Sequence, residues 1–124
     1  MRSIRGLLVG LRIAMALQVG VGLALWTGHL YSLVNLHMAI GSLFVLMLWA
    51  IAAIALARHQ SVGLAMFAIG WGLVIAAFGM MQQGILPGDL HWIVRVMHLA
   101  IGFAAMPIAE RLAGGVTRAA LQPA

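Results

Sequence analysis

The chain has 124 residues, 65% of them hydrophobic and 7% charged, with a formal net charge of +5 and no cysteine. A soluble domain carries about 25% charged residues, so this composition excludes a water-facing surface, and the missing cysteines exclude disulfides, zinc–thiolate sites and iron–sulfur clusters. The charge comes from seven arginines set against Asp89 and Glu110. The arginines flank apolar runs and form no basic stripe, which speaks for membrane orientation and against nucleic acid.

Crossing a bilayer takes about 20 mostly apolar residues, and four runs reach that length. The first is Leu7–Thr27, broken by Gly28. Its charged start, Met1-Arg-Ser-Ile-Arg5, resembles a signal peptide, but the run is long enough to span and no small-x-small cleavage site follows Trp26. It therefore reads as the first transmembrane helix. The second run is Asn35–Ala57, ended by Arg58-His59-Gln60, and the third is Ser61–Met81, ended by Gln82-Gln83-Gly84. Turn chemistry follows at Leu86-Pro87-Gly88-Asp89. The fourth run is Trp92–Leu112, ended by Gly114-Gly115, which leaves Val116–Ala124 as a short frayed tail. Pro107 predicts a kink in the fourth helix.

Short connections force neighbouring helices to run antiparallel. The expected fold is an all-α integral membrane protein, one up-down-up-down four-helix bundle over 1–124 built from two helical hairpins. Arg2, Arg5, Arg12, Arg58, Arg111 and Arg118 fall on one side of it, and Arg95 lies toward the other, near Asp89. The positive-inside rule makes the six-arginine side cytoplasmic. The expectation is a multi-pass protein of a bacterial inner membrane with both termini inside.

One five-residue phrase occurs twice, as His37-Met-Ala-Ile-Gly41 and His98-Leu-Ala-Ile-Gly102. Each copy opens an apolar run, on two helices that point the same way. An ionisable residue in a membrane span is a functional-site hypothesis by default. The pair reads as two ligands for one buried group, and that group as a b-type haem, since covalent c-type attachment needs cysteine. Two neutral imidazoles close both axial positions to oxygen and suit electron transfer. The competing reading is an interhelical hydrogen bond at each histidine; copper or a single-histidine site are further alternatives. In a square bundle the second and fourth helices are diagonal, and a macrocycle between them would fill the centre. The expected helix starts put the two histidines at depths differing by about 6 Å.

Gly41 and Gly102 lie four residues after each histidine, on the same face, where a flat ring can approach the backbone. Ordinary small-residue packing is the alternative, and it is the favoured one for Gly10, Gly20, Gly22, Gly63, Gly70, Gly72 and Gly79. Arg95 shares a face with His91 and His98, and reads either as a propionate partner or as an interfacial arginine reaching headgroups. His29, Tyr31 and His91, with Trp26 and Trp92, frame either a quinol pocket or, preferably, an aromatic belt. His59 reads as a loop residue. The nine methionines do not cluster at ligand spacing and read as core. No paired carboxylates, phosphate loop or nucleophile triad occur.

The layout resembles the small bis-histidine membrane cytochromes b, and is similar to one four-helix half of heme A synthase. There, histidines on the second and fourth helices of a half face a haem near the outer membrane side, and the matching residues are His37 and His98. The family's oxygenase-type half carries a glutamate shortly before its first histidine, where this chain has Val34-Asn35-Leu36. The resemblance thus implies electron carrying and not haem modification. The expected protein is an electron-transfer subunit of a larger redox complex rather than a free-standing enzyme, with the bilayer, other membrane subunits and quinol as partners. A haem-free accessory subunit and a small quinol-oxidising enzyme are the alternatives.

Overall fold

In lipid, backbone polar groups must be satisfied within the chain, which restricts open-ended spans to helices. The computed structural model describes residues 2–28 and 30–121. Four helices fill it: α1 (Arg2–Trp26), α2 (Val34–Ala57), α3 (Val62–Met81) and α4 (His91–Ala119), with 3₁₀ turns at Tyr31–Leu33 and Gln82–Gly84. Each helix is long and apolar enough to cross a membrane. The expected all-α four-helix bundle is what the described residues form, and the protein is a multi-pass membrane protein.

The connections show why the chain turns where it does. Gly28 (φ 77°) and Gly88 (φ 94°) take left-handed conformations that glycine adopts without strain. The four-residue link between α2 and α3 is tighter. There His59 and Ser61 adopt positive φ, and the Gln60 amide donates back to the Ala55 carbonyl at 2.8 Å, satisfying an end of α2. One end of the bundle thus carries the α1–α2 and α3–α4 loops (the two-loop end). The other carries the α2–α3 link, the start of α1 and the end of α4, and is called the chain-end side.

Two helix bounds differ from expectation. α1 begins at Arg2, not Leu7, because Ile4 packs into the core at 3% exposure. α4 runs on to Ala119, past Leu112 and through Gly114-Gly115. Glycine weakens an isolated helix, but here Ala113 and Val116 are buried on either side and the Thr117 hydroxyl donates to the Ala113 carbonyl at 2.8 Å. Tertiary packing overrides the local preference. Pro107 lies inside this one continuous helix.

α2 and α4 form the diagonal, as a four-helix bundle requires, but they pack directly on one another, while α1 and α3 stand apart on opposite flanks. Ala52 and Ala55 of α2 and Ala105 and Ala109 of α4 are fully buried. Small side chains of this kind let membrane helices approach closely. Two indoles then tie the helices in series. Trp49 Nε1 of α2 donates to the Ile69 carbonyl of α3 at 3.1 Å, and Trp71 Nε1 of α3 donates to the Ile101 carbonyl of α4 at 3.0 Å. Gly72 lies directly beneath the Trp49 indole, leaving no room for a Cβ.

The core is lopsided. Leu11, Leu48, Ile51 and Leu112 fill the half nearer the chain ends. Beyond Phe44 and Ile75, toward the two-loop end, Val94 is the one fully buried side chain among the described residues. Both histidine phrases lie in that thinly packed half.

Gly72→Val is expected to destabilise the bundle by about 1–3 kcal/mol through overpacking against Trp49. Trp49→Phe and Trp71→Phe, each losing one interhelical hydrogen bond, are expected to cost about 1 kcal/mol. Reversible unfolding in mixed micelles measures all three.

Candidate functional site

His37 stands three residues into α2 and His98 seven into α4. The four-residue difference in their distance from the helix starts does not keep the two rings apart. The two rings meet across the α2–α4 diagonal with centroids 6.2 Å apart and planes tilted by 50°. The histidines that the repeated phrase singled out are thus brought together inside the bundle.

Each ring is framed by a helix from the flanks. A Cβ at Gly22 of α1 would stand 3.3 Å from His37 Cε1, and one at Gly79 of α3 would stand 3.4 Å from His98 Cε1. These two glycines give the rings their room. Phe78 of α3 stacks on His98, with centroids 6.0 Å apart and planes within 14°. All four helices therefore contribute to one layer: Gly22, His37, Phe78 with Gly79, and His98.

A second layer lies one turn nearer the chain ends. Gln18 of α1 presses against Gly41, where an added Cβ would come within 2.6 Å of Gln18 Nε2. Met15 of α1 sits over Gly102, at 3.9 Å from such a Cβ. Gly41 and Gly102 do share faces with the histidines, but what they admit in this structure is the α1 side chains Gln18 and Met15.

The polar atoms of this region are the unusual part. His37 Nδ1, His98 Nδ1 and Gln18 Oε1 are all buried and have no hydrogen-bond partner. A buried polar group left unpaired costs about 1–3 kcal/mol. Three such atoms within two adjoining layers form one polar set in an apolar interior.

The other candidate residues lie outside this set. Arg95 is one turn nearer the two-loop end than His98, with its guanidinium carbon 5.8 Å from the Trp26 ring centroid. This is a cation–π contact between α4 and α1. The His91 ring nitrogen Nδ1 is 3.2 Å from the Ile85 carbonyl, tying the start of α4 to its preceding loop. Tyr31 and Trp92 are exposed, which suits interfacial aromatics. His59 is exposed in the α2–α3 link. His29, part of the quinol-pocket expectation, lies outside the described residues.

Sequence reasoning missed Gln18 and Phe78 and favoured plain packing for Gly22 and Gly79. Gln18 had a signal: it is the one amide inside the first apolar run. The glycines had none, since Gly20 and Gly70, which face nothing within 4 Å, look identical in sequence.

The spacing of the two rings fits a metal-centred group held by two imidazoles. Metal–imidazole bonds of about 2.0–2.1 Å place two rings on opposite sides of one ion with centroids about 6 Å apart. Among the described residues no group of three or more His, Cys, Asp or Glu side chains gathers. A site supplied by the protein alone would leave most of a metal's coordination positions open, whereas a macrocycle brings its own four donors.

Gly22→Leu and Gly79→Leu are expected to lower the midpoint of thermal unfolding by several degrees, corresponding to about 1–3 kcal/mol of overpacking. Gly70→Leu, facing open space, is expected to leave it unchanged or raise it slightly. Circular dichroism melts in detergent compare the three. In comparisons with protein-family models, curated proteins and solved structures, none matches the chain, so the chemistry of His37, His98 and Gln18 is what speaks to function.

Proposed function

We propose that this membrane protein is a b-type cytochrome, holding one haem between His37 and His98 and passing single electrons near the two-loop end of the bundle. The observation that carries this reading is the pair of half-buried imidazoles 6.2 Å apart, each with a buried, unpartnered Nδ1. The haem would supply a one-electron carrier, with His37 and His98 as the residues that would hold it.

The chain's own residues have separate tasks. His37 and His98 each offer one ring nitrogen as ligand and keep an N–H on the other. A ligating histidine normally donates that N–H to a carbonyl or carboxylate, which fixes the tautomer and the ring orientation. Gln18 Oε1 is a buried acceptor in the adjoining layer and is the group available for such orientation. Phe78 stacks on the His98 ring, and Gly22 and Gly79 keep the ring edges uncrowded.

Arg95 is the partner for the carboxylates such a group carries. It precedes His98 by one turn, toward the two-loop end, and a bidentate guanidinium is the natural holder of a carboxylate. With Arg2, Arg5, Arg12, Arg58, Arg111 and Arg118 gathered toward the opposite end, the positive-inside rule puts the histidine layer near the outer face of a bacterial inner membrane, with both termini cytoplasmic. In this reading the protein serves as a subunit of a larger redox complex, with quinol as a candidate donor.

Expression with ample haem, followed by a reduced-minus-oxidised spectrum of the purified protein, tests the reading. A Soret band and sharp α band are expected. His37→Ala and His98→Ala should each abolish them, His59→Ala should leave them intact, and Arg95→Leu should weaken haem retention without abolishing it. Wild-type protein that is folded yet lacks the bands would sink the proposal and favour a haem-free accessory subunit.

A further inference from the structure

Apart from the histidine layer, charge is concentrated in a groove of about 410 Å³ between α1 and α4 at the end bearing the chain ends. On α1 it is lined by Arg5, Leu8 and Arg12, a single face at helical spacing. On α4 it is lined by Glu110, Gly114 and Arg118, also one face. Arg12 Nη2 and Glu110 Oε1 pair across the groove at 2.7 Å. That pair neutralises itself, leaving Arg5 and Arg118 as the uncompensated charges. Arg118 is turned inward by a specific device: its Nη1 stands 3.2 Å from where a Gly114 Cβ would be, so the guanidinium folds back over bare backbone one turn earlier.

Arg5 lies near the start of α1 and Arg118 near the end of α4, and the ends of spanning helices are where lipid headgroups are met. Two guanidiniums above an apolar floor of Leu8 and Ala113 match an amphiphile with an anionic head. Basic pockets between transmembrane helices bind anionic headgroups on this principle. We propose that the α1–α4 groove is a binding site for the phosphate headgroup of an anionic phospholipid, held by Arg5 and Arg118, with the Arg12–Glu110 pair closing the inner end. The site is independent of the haem reading.

The test titrates the full-length protein in neutral detergent micelles with phosphatidylglycerol, phosphatidylcholine or inorganic phosphate, counting bound ligand by native mass spectrometry. Phosphatidylglycerol should bind more tightly than phosphatidylcholine. Arg5→Gln and Arg118→Gln should each weaken it about fivefold, as expected for one arginine at the headgroup level. Gly114→Leu should weaken it too, by displacing Arg118, while Arg111→Gln, an arginine outside the groove, should not. Circular dichroism of each variant confirms that it folds. Equal losses in Arg111→Gln and Arg118→Gln would mean diffuse charge and overturn the site. Equal binding of phosphatidylcholine, or of inorganic phosphate, would overturn the anionic-lipid assignment.

Discussion

A polar atom surrounded by hydrocarbon has to find its partner inside the protein, because neither lipid nor water will supply one. That constraint organises the molecule. It makes the spans helical, so that each backbone amide is answered within its own helix. It sends the Trp49 and Trp71 indoles to carbonyls on the next helix. Where the constraint is unmet, at His37, His98 and Gln18, the exceptions fall in two adjoining layers. Their clustering separates them from incidental imperfections of packing. A bound group that takes a lone pair from each imidazole would answer one nitrogen of each histidine and leave Gln18 Oε1 to accept a ring N–H.

The lopsided core is the second consequence. In the half nearer the chain ends, α2 and α4 each bury alanines, and leucines and isoleucines fill much of the core. In the other half, glycines face the histidine rings, and buried apolar bulk dwindles to Val94. One half is built for cohesion, and it can carry the stability that the polar half gives up. The series of indole bonds from α2 to α3 to α4 lies between the two. It holds α3, and with it Phe78 and Gly79, against His98.

Much of the architecture was legible in the sequence because its signals are local. Apolar run length marks the four spans, and Gly28 and the Leu86-Pro87-Gly88-Asp89 turn mark two of the bends. The helix ends were less legible at Ile4 and at Gly114-Gly115. Both cases turn on burial against another helix, which local propensity does not contain. The same limit applied to the candidate site. The repeated phrase pointed to His37 and His98 because an ionisable residue in an apolar run is conspicuous. Gly22 and Gly79 were hidden among similar glycines, and Gln18 acquired meaning only once α1 was seen to lay it against Gly41.

The sequence by itself determined that this is a helical membrane protein and that two histidines enter its spans from the same end, because composition and run length answer directly to the hydrophobic effect and the thickness of a bilayer. Only the tertiary structure decided that the rings meet at 6.2 Å, that α2 and α4 touch while α1 and α3 do not, and that Arg95 lies over Trp26. Rotation and offset of a helix about its neighbours depend on side-chain contacts between residues distant in the chain, and in a sequence this uniformly apolar no periodic polar face announces them.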